Sequence, residues 1–186
     1  MIPRFNPSRN SGHLDRRRFF CGVAAFVLAP FAAADGTPPD RRSLSFVHAH
    51  TGETLSTVYF QNGNYLAPSL EHVNQFLRDF RTNEVHSIDP ALLDILFDLQ
   101  ARACHAGPFE VISGYRSPQT NAALRSQSSA VAEHSLHMEG RAIDVRLRGF
   151  PTAKLRDVAI ALHRGGVGYY AASDFVHVDT GRVRVW

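Results

Sequence analysis

The chain has 186 residues, of which 44% are hydrophobic and 20% charged, with a formal net charge of +3. That composition supports one globular domain with a substantial core and excludes a wholly disordered chain. The positive balance lies at the start: residues 1–34 carry five arginines and one aspartate, leaving 15 basic against 16 acidic side chains in the remainder, with no basic run of interleaved aromatics to track nucleic acid.

The first 34 residues predict an export leader. Arg16, Arg17 and Arg18 precede a sixteen-residue apolar run from Phe19 to Ala34, and Ala32 and Ala34 satisfy the small-residue requirement before a cleavage point near Asp35. The Arg16–Arg17 pair followed by Phe19 and Phe20 matches the twin-arginine pattern, which makes the Tat translocase the expected partner in export and the periplasm the expected location. A membrane span needs roughly 20 apolar residues, and Pro30 interrupts this run, so no stable span is expected in the mature form; an uncleaved tether is the other reading. Cleavage removes Cys21 and leaves Cys104 with no disulfide partner, a small residue expected to be buried at a helix end.

Residues 35–43, polar and proline-rich, predict a flexible lead-in, and the domain is expected over 44–186. "LSFVHAHTGETLSTVYF" gives two alternating runs around a turn, a hairpin in which His48 and His50 are strand-face or turn residues. Pro68 and Ser69 open a helical pattern through Val73, Phe76, Leu77 and Phe80; Asp89 and Pro90 open another through Leu92, Leu93, Leu96, Phe97 and Leu99. "FEVIS" at 109–113 is a short strand, and Ser117 with Pro118 caps a helix to about Arg125. After the irregular "SQSSAVAEHS" come a strand around Asp144, a helix from Thr152 to about His163, and strands in "VGYY" and "DFVHVDT". Strands and helices that do not alternate strictly predict an α+β fold with a largely antiparallel sheet.

The chemistry concentrates in "EHSLHMEGRAIDVRL". Strand parity sends Ile143, Val145 and Leu147 to the core and Asp144 to the other face. A lone aspartate there is an ordinary solvent-facing residue. The same parity in "DFVHVDT" buries Val176 and Val178 and turns His177 outward, so neighbouring strands would project an imidazole beside the carboxylate. Gly140 gives the chain the freedom to fold His137 back over the start of the strand. His137, Asp144 and His177 then make a set of two nitrogens and one oxygen that suits Zn2+, with a fourth position left for water, the arrangement of catalytic sites.

Three stretches, "SLHMEGRAID", "SGYRSPQTN" and "DFVHVD", resemble in order the motifs of the M15-type zinc D-Ala-D-Ala peptidases, which have a Hedgehog/DD-peptidase-like fold. The likeness covers roughly residues 44–186 and, with the twin-arginine leader, is closest to the murein endopeptidases of that family. It implies that His137, Asp144 and His177 bind zinc, that Asp174 is the general base, and that Arg116 stabilises the developing oxyanion. Strict parity sets Asp174 on the face opposite His177, so the strand must bend or begin after it. The implied substrate is a peptidoglycan peptide cross-link, with the 3-3 bond between two meso-diaminopimelate residues as the preferred target. A D,D- or L,D-carboxypeptidase on stem peptides and a non-catalytic zinc-containing wall-binding module are the alternatives. A cytoplasmic activity would require residues 1–34 to be something other than a signal.

Around these residues, His134 is either a substrate contact or an exposed loop residue, and Ser135 is expected to fix the loop beside His137. Glu133 and Glu139 are expected in solvent. Asp179 either orients the His177 ring or makes a strand-end ion pair.

Overall fold

The computed structural model describes residues 41–127 and 131–186. The expected leader, residues 1–34, and residues 35–40 of the expected lead-in fall outside them. Strand β1, Arg41–His48, and β2, Thr54–Gln61, form the predicted hairpin. The strand begins three residues inside the expected lead-in, because Arg41 pairs with Gln61 and the Arg42 guanidinium reaches Asp94 at 2.7 Å.

After β3, Asn64–Tyr65, helix α1 spans Ala67–Phe76 and stops short of the predicted Phe80. The Leu77 carbonyl accepts the Tyr115 N–H at 2.8 Å, and the chain turns through Asp79–Glu84, with Asn83 N–H donating to the Asp79 carbonyl at 2.7 Å. These tertiary bonds outweigh a continued apolar period. Helix α2, Pro90–Arg102, starts where expected: the Asp89 carboxylate accepts the Ala91 N–H at 3.0 Å. Cys104, predicted to be buried, is exposed, because the chain leaves α2 before it and passes through it at φ +48°.

Strand β4, Phe109–Ser113, leads to α3, Pro118–Gln127, with the Ser117 hydroxyl accepting the Thr120 N–H at 3.2 Å. A 3-10 turn, Leu136–Glu139, precedes β5, Ala142–Leu147; α4, Thr152–Leu162, precedes β6, Gly166–Tyr170. A second 3-10 turn, Ala171–Ser173, leads into β7, Phe175–Asp179, and β8, Arg184–Val185, adds an edge that the sequence pattern did not announce.

The strands form one sheet in the order β3-β2-β1-β4-β5-β7-β6-β8, antiparallel except for β1–β4 and β6–β8. Helices α2 and α4 pack on one face, where Leu92, Leu96, Leu99 and Leu155 join Ile143, Val145, Leu147, Val176 and Val178 in a single buried cluster. Each such side chain contributes about 1.5–3 kcal/mol relative to exposure, which fixes the register of β5 and β7 and therefore the face of the residues between. Among the described residues no helix is long and apolar enough to cross a membrane.

Candidate metal centre

Register brings the predicted ligands together. Asp144 on β5 lies directly across from His177 on β7, and their buried neighbours turn both side chains to the face away from α2 and α4. His137 comes from the preceding 3-10 turn, which ends at Gly140 with φ +66°; a Cβ there would sit 2.1 Å from the Ser87 carbonyl oxygen, so only glycine lets the turn close. As expected, Ser135 caps the turn, its hydroxyl accepting the His137 N–H at 3.4 Å.

The three donor atoms converge. His137 Nε2 lies 3.2 Å from His177 Nδ1 and 3.3 Å from Asp144 Oδ1, and His177 Nδ1 lies 2.9 Å from that same oxygen. Zinc–ligand bonds of about 2.0–2.1 Å in a tetrahedron put donor atoms roughly 3.3 Å apart, so the residues present fit a zinc ion. Each imidazole also has an outer partner. His137 Nδ1 is 2.7 Å from the Gly114 carbonyl oxygen and His177 Nε2 is 3.1 Å from Asp179 Oδ2. In the neutral rings, an N–H donated outward at those atoms leaves Nε2 of His137 and Nδ1 of His177 as lone pairs aimed inward.

Asp179 fulfils both of its expected roles. It is fully buried, accepts the N–H groups of Gly166 and Gly181 at 3.1 and 2.8 Å, and pairs with Arg184 at 2.7 Å while holding His177. Burial opposes its ionisation, but the His177 and Arg184 hydrogen bonds prevail and keep its carboxyl far below the usual range. Burial likewise opposes charge on Asp144, yet His137 and His177 hold it well below the ordinary carboxylate value. His137 is pushed down by burial, with Asp144 only partly compensating. His177 is buried too, but the carboxylates of Asp144 and Asp179 on either side lift it to about 9.

Arg116 stands beside these groups, its guanidinium 3.7 Å from Asp144 Oδ2 and its backbone N–H bonded to the His137 carbonyl at 3.1 Å. Burial makes its charge harder to hold, and Asp144 offsets part of that. Among the described residues its Nε is buried without a hydrogen-bond partner.

Asp174 is not brought to the three ligands. The strand begins after it, as parity required: β7 starts at Phe175, and Asp174 ends the 3-10 turn at φ +51°. Its carboxylate accepts the Thr152 hydroxyl at the start of α4, and the Arg146 guanidinium donates to its carbonyl. It therefore lines a neighbouring cavity, while Ser173 and Phe175 on either side of it line the cavity of about 660 Å³ that contains His137, Asp144, His177 and Arg116.

That larger cavity has walls that sequence reasoning missed. The Trp186 ring packs 5.2 Å from the His177 ring and donates its N–H to the Tyr170 hydroxyl at 3.1 Å; Tyr170 stacks on Phe175 at 4.6 Å. The available signal was Gly168, a glycine inside a strand directly across from His177, where a Cβ would meet the Trp186 ring at 2.7 Å. His134 lines the same cavity and is exposed; Glu133 and Glu139 are exposed, as expected. The Asn121 amide ties the loop down through the carbonyls of Ala132 and Glu133 at 3.1 and 3.3 Å.

Comparison with known proteins agrees with this geometry. A family model described as peptidoglycan L,D-endopeptidase MepK, of the M15 peptidases, matches residues 37–186. The chain is 41% identical over 167 residues to the peptidoglycan L,D-endopeptidase MepK of Escherichia coli K12, covering 89% of this chain and 92% of that relative. It is 43% identical over 161 residues to the probable peptidoglycan L,D-endopeptidase MepK of Haemophilus influenzae, covering 86% of this chain and 87% of that protein. No solved structure matches. The chain belongs to the M15-type peptidase family represented by these MepK proteins.

Proposed function

We propose that this chain is a zinc-dependent peptidoglycan endopeptidase that cuts peptide cross-links, with the 3-3 bond between two meso-diaminopimelate residues as its preferred target. The observation that carries the reading is the convergence of His137 Nε2, Asp144 Oδ1 and His177 Nδ1 at tetrahedral spacing on the wall of an open cavity. The named bond rests on the relatives' L,D-endopeptidase description.

A zinc ion held by these residues would supply Lewis acidity and lower the pKa of water from about 15.7 toward roughly 7. The chain's own groups supply the remainder. The Gly114 carbonyl and Asp179 keep the two imidazoles in the ligand tautomer. Arg116 donates to the carbonyl oxygen as negative charge grows on it, a contribution typically of about 10²–10³ in rate, and its side chain lines the cavity beside the three ligands. Asp174 accepts the proton of the attacking water and returns it to the leaving amine, for which its carboxylate must turn from Thr152 toward the larger cavity. A binding module has no need of such a base, so the behaviour of Asp174→Ala separates catalysis from the wall-binding alternative.

Residues 1–34 direct the protein through the Tat translocase to the periplasm in this reading. Export of a reporter fused to them should be lost on Arg16→Lys with Arg17→Lys.

The experiment offers the zinc-loaded protein 3-3 dimers, 4-3 dimers and free stem peptides, and follows products by mass spectrometry. Monomers from the 3-3 dimer support the reading. Alanine released from stem peptides with both dimers left intact would make the protein a carboxypeptidase instead. Asp174→Ala should retain zinc and lose cleavage; undiminished cleavage would remove Asp174 from its role.

A further inference from the structure

The cavity next to the metal centre contains charges of both signs. It encloses about 480 Å³ and is lined by Glu110, Arg146, Arg148, Thr152 and Asp174 among others. Arg146 follows Asp144 by two residues on β5, on the same sheet face, and Glu110 on β4 lies directly across from Arg146. Two residues of strand put Arg146, and Glu110 across from it, about 7 Å from the metal ligand; Arg148 lies two residues further along and turns its guanidinium back to within 3.8 Å of Glu110.

The charges are unequally committed. The Arg146 guanidinium donates to the main-chain carbonyls of Ser173 and Asp174, bracing the corner that carries Asp174. Glu110 is held only loosely, 3.6 Å from Arg146 and 3.8 Å from Arg148, beyond hydrogen-bond reach of either. Among the described residues, then, a carboxylate and a guanidinium face one hollow with their hydrogen-bonding capacity unspent.

The substrate class has a matching group. A 3-3 bond is acylated by one diaminopimelate whose second amino-acid centre stays free, with both an ammonium and a carboxylate. Three methylenes separate the two centres, about 5 Å when extended. The acyl donor of a 4-3 bond is alanine, whose methyl group reaches nothing at that distance. We propose that this cavity is the subsite for the free amino-acid centre of the acyl-side diaminopimelate, with Glu110 taking the ammonium and Arg148 the carboxylate. The assignment rests on the endopeptidase reading above and gives its 3-3 preference a physical basis. Asp174 lines this cavity, and its neighbours Ser173 and Phe175 line the one that contains the metal ligands.

The test has a binding arm and a cleavage arm, both on the zinc-loaded protein. By titration calorimetry, a stem tripeptide ending in meso-diaminopimelate should bind about tenfold tighter than the same tripeptide ending in lysine, which lacks the distal carboxylate; Arg148→Gln should abolish that difference. In cleavage, acetylating the distal ammonium of the 3-3 dimer should lower kcat/KM about tenfold in the wild type and less than twofold in Glu110→Gln. Glu110→Gln keeps side-chain shape, and Arg148→Gln shortens a side chain that is half exposed, so neither disturbs the core. Equal affinity of the wild type for the two tripeptides, or discrimination that survives in the variants, overturns the subsite. Discrimination in binding with every dimer uncut would sink the endopeptidase reading and leave the cavity as a stem-peptide site.

Discussion

Asp179→Asn tests whether the metal centre depends on a residue that never touches the metal. All five contacts of the buried carboxylate are with donors: His177 Nε2 at 3.1 Å, two Arg184 nitrogens at 2.7 and 3.1 Å, and the N–H groups of Gly166 and Gly181 at 3.1 and 2.8 Å. An amide has one acceptor oxygen, so in either orientation its NH2 faces buried donors, at a cost of about 1–3 kcal/mol. Turned toward His177, it also favours the proton on Nδ1, the atom aimed at the metal. Zinc affinity should fall about 10–100-fold, roughly 1.4–2.7 kcal/mol. Competition with a chromogenic chelator measures this, with circular dichroism verifying that the variant is folded at the assay temperature. Zinc affinity within twofold of the wild type in a folded Asp179→Asn protein would refute the reasoning. It would mean that packing against Trp186 and Gly168 suffices to hold the ring.

In the metal-free protein His177 is raised to about 9, and zinc requires it neutral, so zinc affinity should drop about tenfold per pH unit from pH 9 down to 7; calorimetry in buffers of different ionisation enthalpy should show about one proton released at pH 7.5. The same shift makes the metal-free fold draw stability from His177 that is complete below about 6.5 and lost as pH rises through 9, which urea titrations with a chelator present will detect. Gly140→Ala places a side chain at φ +66° against the Ser87 carbonyl and should cost at least about 2 kcal/mol in urea unfolding. Burial opposes ionisation of Asp79, but the hydrogen bonds of Thr120, Ser117 and Arg81 prevail and hold its carboxyl at about 2, below its ordinary value. Its contribution is present above about pH 4 and lost as pH falls through 2, so Asp79→Asn should flatten the acid limb of the stability curve.

What could be read from the sequence was the part governed by short-range periodicity. Alternation in "AIDVRL" and "FVHVD" sorted core from site because burial of Val145 and Val176 leaves no other register, and the turn glycine placed His137. The remainder depends on contacts distant in sequence. Nothing near Asp174 announces that Thr152, 22 residues away, would hold its carboxylate. The end of α1 was set by Tyr115 from the segment between β4 and α3, and the cavity wall by a parallel pairing of β8 with β6 that brings Trp186 over Gly168. Cys104 was misjudged for a local reason, since a single residue of left-handed backbone turned it outward.

The central claim is that His137, Asp144 and His177 hold one zinc ion on which cross-link cleavage depends. The most direct measurement strips the protein of metal, titrates zinc back, and follows a purified 3-3 dimer by mass spectrometry alongside His177→Ala. The account predicts cleavage that rises to a plateau at one equivalent of zinc and is absent in the variant. Zinc bound at one equivalent with the dimer intact, or cleavage undiminished in His177→Ala, would contradict it.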